Sequence, residues 1–107
     1  MSKYKAWKSF EREIARKFTE MGFDTKRNWS SQFSKRDTVD LIATDGEIKL
    51  MIQCKYGKKP NLKQAWDEAN QSIKKNEIPI GICRFLEERN TLIIMSWTNF
   101  EKLLSKS

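Results

Sequence analysis

The feature that most limits how this chain can fold is a hairpin signal near its middle. Two stretches with strand-forming patterns, residues 38–44 and 47–56, flank the dipeptide Asp45-Gly46. Asp-Gly is a preferred pair in two-residue type I′ turns, which join antiparallel strands. The sequence therefore predicts a β-hairpin, and the remaining elements must pack on a sheet that contains it.

Helical and strand patterns alternate along the rest of the 107 residues. Apolar residues recur at spacings of three and four over residues 5–21 and 62–75, which predicts two helices. A capping-box pattern at residues 98–101 opens a short final helix. Three further strands are predicted, at residues 23–29, 78–86 and 91–97. The order αβββαββα is typical of an α/β fold with a mixed central sheet flanked by helices, and we expect a single domain over residues 1–107.

Composition excludes several kinds of catalyst. The sequence contains no His, which removes Ser-His-Asp triads, Cys-His pairs and His-ligated metal nucleases. Its two cysteines, Cys54 and Cys83, lie in predicted buried strands and form no CxxC pair, so a structural zinc site is not expected. Any catalysis would depend on carboxylates, Lys, Arg and a hard metal ion.

The charge balance points to a polyanionic partner. The chain has a formal net charge of +7, and a basic domain favours nucleic acid because released counterions drive association. Charge alone also leaves open a basic protein that is merely soluble. The sequence contains no long apolar run and no signal-peptide pattern at its start, so we expect no membrane partner and a cytoplasmic location, which would be the host cytoplasm for a viral protein.

One carboxylate falls on the apolar side of the first predicted helix. At 100° per residue, Glu11 lies within the apolar stripe, between Trp7 and Phe18. An inward carboxylate is unfavourable unless a cation or hydrogen bonds receive it. Glu11 is therefore either a functional residue or the partner of a nearby Lys or Arg, and helical geometry leaves both interpretations open.

The predicted hairpin brings an acid, an amide and a Lys onto one face. With a turn at Asp45-Gly46, Asp40 pairs with Met51, so that Asp40 stands diagonally beside Gln53 with Lys55 one step further. Such a cluster is ordinary on a solvated face and unusual on a face that meets a helix. The inward Glu11 favours the second interpretation.

These residues would suit phosphodiester hydrolysis. Mg²⁺ takes oxygen ligands and is usually held by one or two carboxylates, and Mn²⁺ could replace it. Asp40 would be the main ligand, with the side-chain oxygen of Gln53 and the backbone carbonyl of Cys54 as weaker ones. Glu11 would hold a metal-bound water from the helix side. Lys55 would orient or activate the attacking water and stabilise the developing charge.

The spacing Asp40…Gln53-Cys54-Lys55 resembles the D…(E/Q)xK signature of PD-(D/E)XK nucleases. More closely, the chain resembles the archaeal-type Holliday junction resolvases over most of its length. The matching segments are Phe-Glu-Arg-Glu at 10–13, residues 22–27, Val-Asp-Leu at 39–41, Ile-Gln-Cys-Lys at 52–55, Ile-Pro-Ile at 78–80 and the closing strand.

The resemblance implies a restriction-endonuclease-like fold, a Mg²⁺-dependent site and a homodimer that nicks two strands of a four-way junction. It places Glu11, Asp40 and Lys55 in catalytic positions, and Arg12 and Arg27 in basic positions near the active site and the DNA. Gln53 departs from the family, which usually has Glu there.

A neutral amide at position 53 can give an oxygen to a metal ion but no charge, so weaker metal affinity is expected. The sequence leaves open whether another acid compensates. Glu47 and Glu68 are the candidates, although Glu68 also suits a plain solvated helix position.

Basic residues surround the predicted site and would contact DNA phosphates without reading sequence. Besides Arg12, they are Lys26, Arg27, Lys35 and Arg36 before Asp40, and Lys58 and Lys59 after Lys55. Trp29 or Phe33 could stack on an unpaired base, but Trp29 fits a core position better.

The leading hypothesis is thus a metal-dependent, structure-selective endonuclease that resolves Holliday junctions or related branched DNA. Two alternatives remain: a catalytically weak or inactive nuclease fold that only binds DNA structures, and a PD-(D/E)XK nuclease that acts on other DNA in repair, restriction or phage genome processing. A basic protein–protein adaptor is a third.

Overall fold

The computed structural model describes residues 3–27, 39–71 and 73–105. The eight elements follow the predicted order αβββαββα, which is confirmed. They are α1 (Lys3–Glu20), β1 (Asp24–Arg27), β2 (Leu41–Thr44), β3 (Lys49–Gly57), α2 (Leu62–Asn70), β4 (Glu77–Phe85), β5 (Thr91–Ile94) and α3 (Trp97–Ser105).

The five strands form one mixed sheet in the order β1-β2-β3-β4-β5. Neighbouring strands are antiparallel except for β3 and β4, which are parallel and joined through α2. The expected mixed sheet flanked by helices is confirmed, and β3 lies at its centre, between β2 and β4.

The two faces of the sheet are covered by different helices. The apolar stripe of α1, with Phe10, Ile14 and Phe18, packs on the face that carries Leu50, Ile52 and Cys54 together with apolar residues of β2 and β4. On the other face α2 comes so close to β4 that a Cβ atom on Gly81 would lie 3.3 Å from the Cβ of Ala65. Residues of β3 therefore alternate between an α1 side and an α2 side.

The hairpin between β2 and β3 exists, but its predicted register is wrong. Thr44 pairs with Lys49 rather than with Glu47, and the Asp45 N–H donates to the Ile48 carbonyl (3.2 Å). The turn is therefore Gly46-Glu47, one residue later than predicted. Asp45 is the physical reason, because its Oδ1 accepts the N–H groups of Glu47 (2.9 Å) and Ile48 (2.8 Å).

Moving the turn by one residue shifts the strand pairing by two residues, so residues within β2 and β3 keep their predicted faces. Ile42 now pairs with Met51, and Leu41 with Ile52. Asp40 lies one residue outside this paired segment, and its N–H donates to the carbonyl of Ile52 (3.0 Å), the residue that also pairs with Leu41.

Helix ends also differ from expectation. Helix α2 begins after Asn61, whose side chain accepts the Gln64 N–H (2.9 Å), and it ends at Asn70 rather than at residue 75. The Asn70 side-chain amide donates to the Trp66 carbonyl (2.8 Å), as expected of a residue that competes for backbone groups. Helix α3 begins at Trp97, and its first turn is capped by the Ser96 hydroxyl, which accepts the Asn99 N–H (3.2 Å).

None of the helices in the described part of the chain combines the length and the hydropathy needed to cross a membrane.

Candidate active site

Asp40 stands immediately before β2 and is fixed by the backbone of β3. Its own N–H donates to the Ile52 carbonyl (3.0 Å), and its Oδ2 accepts the N–H of Cys54 (2.9 Å). The pKa of the Asp40 carboxyl is raised to about 6, mainly by burial and in smaller part by the negative charge of Glu11, against the Cys54 hydrogen bond and the charges of Lys55 and Lys8. The carboxylate is therefore held in one position, and its partners only partly offset the cost of burying its negative charge.

Glu11 faces inward from α1, as its helical position predicted. It is only 3 % exposed, and it forms ion pairs with Lys8 Nζ (3.6 Å) and Arg27 Nη2 (3.8 Å). Burial raises the pKa of the Glu11 carboxyl, while Lys8 and Arg27 act in the opposite direction. Glu11 thus has the basic partners of the second interpretation, and its charge also acts on Asp40; a functional role for Glu11 stays a prediction.

Gln53 and Lys55 lie on the α2 side of β3. Gln53 is 5 % exposed. Lys55 is partly buried, and its Nζ lies 3.0 Å from Glu68 Oε2 on α2. Because α1 and α2 cover opposite faces of the sheet, Glu11 and Lys55 approach Asp40 from opposite sides, and the charges of both act on its carboxyl.

Two buried oxygens at this place lack a hydrogen-bond donor in the part of the chain that the structure describes. Within the described residues, Glu11 Oε2 and Gln53 Oε1 are buried without any hydrogen-bond partner. Buried acceptors of this kind are unfavourable unless something pairs with them. Together with the desolvated Asp40 carboxylate, they provide the hard oxygen donors that a divalent cation prefers.

The donor set is poor in carboxylates. In residues 3–27, 39–71 and 73–105, no three side chains of the Asp, Glu, Cys and His types are grouped to hold a metal ion. Burial raises the pKa of the Cys54 thiol well above its ordinary value, so the thiol stays protonated and only its backbone carbonyl suits a hard cation. The residues therefore fit an ion held by Asp40 with neutral oxygens.

The basic residues named from the sequence have different surroundings. Arg12, Lys58 and Lys59 are exposed, the last two directly after β3. Lys26 pairs with Asp24 (3.4 Å), and Arg27 is largely buried beside Glu11. Lys35, Arg36, Trp29 and Phe33 lie outside the described residues, so their suggested DNA contacts remain predictions.

Sequence reasoning missed Lys8, the closer basic partner of Glu11, although the i,i+3 spacing of the two residues is a usable signal. It also missed Arg84, whose guanidinium binds both carboxylate oxygens of Glu13 and the Thr91 hydroxyl and lies 4.8 Å from the Phe10 ring centroid. This group ties α1 to β4 and β5. Local sequence patterns do not indicate this pairing, because it joins residues 71 apart.

Asp40 before β2, the Gln53–Lys55 pair on β3 and the inward Glu11 on α1 match the pattern expected of a nuclease of the PD-(D/E)XK class. The model of the archaeal Holliday junction resolvase (hjc) family matches residues 2–88, and the chain belongs to that family. Its resolvases are structure-selective endonucleases of DNA junctions and generally use divalent metal ions. The matched segment ends before β5 and α3.

Among solved structures, the chain is similar to Hjc, a Holliday junction resolvase from the archaeal hyperthermophile Archaeoglobus fulgidus. The TM-score is 0.62, with 18% sequence identity over 81% of this chain and 73% of that chain. At this identity the likeness concerns the fold. No curated protein matches the sequence.

The raised pKa of Asp40 has a consequence for stability. The folded protein holds the Asp40 proton more tightly than the unfolded chain does, so stability is lost as the pH rises through about 6. We expect Asp40→Asn, which keeps an acceptor for the Cys54 N–H, to stabilise the metal-free protein at pH 7.5 by on the order of 1–2 kcal/mol. Urea denaturation followed by Trp fluorescence measures this difference.

Asp67→Asn is the matched control for that measurement, because Asp67 is an exposed acid on α2 that pairs with Lys63. The free energy of unfolding that Asp40→Asn gains over the wild type should shrink as the pH falls below 6, because Asp40 itself then becomes protonated. A variant that is less stable than the wild type at pH 7.5 would show that the Asp40 carboxylate is well compensated in the folded protein.

Proposed function

We propose that Asp40, Gln53, Lys55 and Glu11 form the active site of a Mg²⁺-dependent endodeoxyribonuclease that resolves four-way junctions by paired phosphodiester hydrolysis. The observation that carries this proposal is a group of polar atoms around the start of β2 and the middle of β3. It comprises a buried carboxylate, a Lys, and two buried oxygens that have no hydrogen-bond donor among the described residues, one of them on α1. Membership of the resolvase family supports the choice of substrate.

Asp40 would be the principal ligand of the cation, with Gln53 Oε1 and the Cys54 carbonyl beside it. A divalent cation at this position would neutralise phosphate charge and lower the pKa of water. The Cys54 N–H keeps the Asp40 carboxylate in one orientation, so the site is preorganised before DNA arrives.

Lys55 and Glu11 would act on the substrate and on water. The Lys55 ammonium is a compact donor that can bind a phosphate oxygen and stabilise the negative charge that grows during attack. Glu11 Oε2 is buried without a hydrogen-bond donor among the described residues. It is therefore suited to accept a hydrogen bond from a water molecule. The pairs that Glu11 makes with Lys8 and Arg27 favour its ionised form.

DNA would be held mainly through phosphates. Lys58 and Lys59 are exposed directly after the strand that carries Lys55, and Arg12 is exposed on α1 one residue from Glu11. Contacts of this kind position a duplex and weaken with salt. They can thus place a backbone phosphate beside Asp40 without selecting a base sequence.

Paired cuts require two active sites, and the structure offers a surface on which a second copy of this chain could dock. None of the residues of α3, which lies wholly in the described part, is buried. Large apolar side chains are exposed around a groove of about 1080 Å³, which is bordered by Met21, Ile93, Trp97, Phe100 and Leu104. Exposed apolar surface of this kind marks an interaction site. We assign this surface to a homodimer interface, through which a second copy of the chain brings the second active site.

The central test compares cleavage of a labelled four-way junction with cleavage of a matched linear duplex, in Mg²⁺ and in Mn²⁺. We expect paired nicks in the junction alone. Asp40→Asn removes the principal ligand charge, and Lys55→Ala removes the stabilising cation; each should lower the rate by roughly 100-fold or more. Lys63→Ala, an exposed Lys on α2, controls for the loss of one positive charge.

Equal cutting of the linear duplex would support nuclease activity and contradict selectivity for junctions. Tight junction binding without cleavage in either metal would instead support a DNA-structure-binding protein, an outcome for which the neutral Gln53 offers a reason.

The interface assignment predicts a change in oligomeric state. Ile93 is 61 % exposed on the edge strand β5, and Ile93→Asp would place an unpaired charge in an apolar contact. We expect the wild type to sediment as a dimer and Ile93→Asp as a monomer at the same concentration. Gln71→Asp, at the exposed end of α2, should remain dimeric. A dimeric Ile93→Asp protein would place the interface elsewhere.

A further inference from the structure

Glu68 is the acid that faces Lys55 from α2. Its Oε2 lies 3.0 Å from Lys55 Nζ, and its Oε1 accepts a hydrogen bond from the Gln64 side-chain amide (2.8 Å). Each carboxylate oxygen thus has its own partner, and the carboxylate is oriented rather than freely solvated. The side chain is 29 % exposed, so the plain solvated helix position that its sequence suggested does not describe it.

Helix α2 holds this carboxylate at a fixed distance from β3. Ala65 and Ala69 are buried against the sheet, and Ala65 lies against Gly81 of β4. Since Gly81 pairs with Gln53 in the parallel register, the helix crosses the sheet at the strand position where the family usually carries its second acid.

The site lacks one negative charge at that position, because Gln53 is a neutral amide. Glu47, the other acid considered from the sequence, sits in the hairpin turn, six residues from Gln53 and therefore roughly 20 Å away along the strand. Asp67, next to Glu68 in the sequence, pairs with Lys63 on the exposed side of α2. Of these acids, Glu68 alone reaches the Lys of the site.

We propose that Glu68 supplies from α2 the carboxylate charge that Gln53 does not provide on β3, and that it acts as a positioning residue for Lys55. By pairing with the Lys55 ammonium, it keeps that cation from pairing with Asp40. Asp40 then remains open to a divalent metal ion, whose binding an unpaired neighbouring ammonium would oppose through like-charge repulsion. The inference rests on the proposed function, because it concerns the metal that the proposed reaction uses.

The test measures Mn²⁺ binding to the full chain by titration calorimetry, without DNA. We expect Glu68→Gln to weaken Mn²⁺ binding by about tenfold, a typical loss when a group that orients a metal site is removed. Asp67→Asn makes the same change of charge one residue away and should stay within about twofold of the wild type.

A compensation experiment separates charge supply from a merely structural role. Gln53→Glu should restore the Mn²⁺ affinity of Glu68→Gln to within about threefold of the wild type, and it should raise the affinity of the wild type by a smaller factor. Circular dichroism of each variant verifies folding. Unchanged Mn²⁺ affinity in Glu68→Gln, or a double variant that binds no better than Glu68→Gln, would overturn the proposal.

These outcomes are distinguishable from failure of the proposed function. A wild type that cuts no branched DNA, while the variants follow the expected order of Mn²⁺ affinity, would refute the nuclease and support the role of Glu68. A wild type that resolves junctions, together with a Glu68→Gln variant unchanged in binding and cleavage, would refute only the role of Glu68.

Discussion

The hydrogen bond from the Cys54 N–H to the Asp40 carboxylate is the interaction on which the rest of the site depends. It joins the residue that precedes β2 to the middle of β3 (2.9 Å), beside the two residues that carry the other site groups. The neighbouring bond from the Asp40 N–H to the Ile52 carbonyl fixes the backbone as well. The strand pairing that builds the core therefore also sets the position of the acid relative to Gln53 and Lys55.

That position is unfavourable for an unliganded carboxylate. Burial raises the pKa of Asp40 to about 6. Glu11 is a second buried acid, and its Oε2 has no hydrogen-bond partner among the described residues. A bound cation would offset the cost of burying these carboxyl groups. Cation binding should therefore stabilise the folded protein. Because position 53 carries no carboxylate, binding of a divalent cation depends more strongly on the remaining charges, including Glu68.

Local patterns predicted most of this fold and part of the site. The inward position of Glu11 follows from helical periodicity, and the shared face of Gln53 and Lys55 follows from strand alternation along β3. The register itself could not be predicted, because the Asp45 side chain competes with the backbone for the turn N–H groups. The Glu13–Arg84–Thr91 group and the reach of Glu68 to Lys55 depend on how helices dock on the sheet, which periodicity does not encode.

The most direct measurement is anomalous diffraction from crystals of the protein grown with Mn²⁺ and a junction that it cannot cleave. We expect an anomalous peak within coordination distance of the Asp40 carboxylate and of Gln53 Oε1, with Lys55 still paired to Glu68. Full occupancy of the DNA with no peak at Asp40, or with a peak only at another group of acids, would contradict the assignment of this site as the metal-dependent active centre.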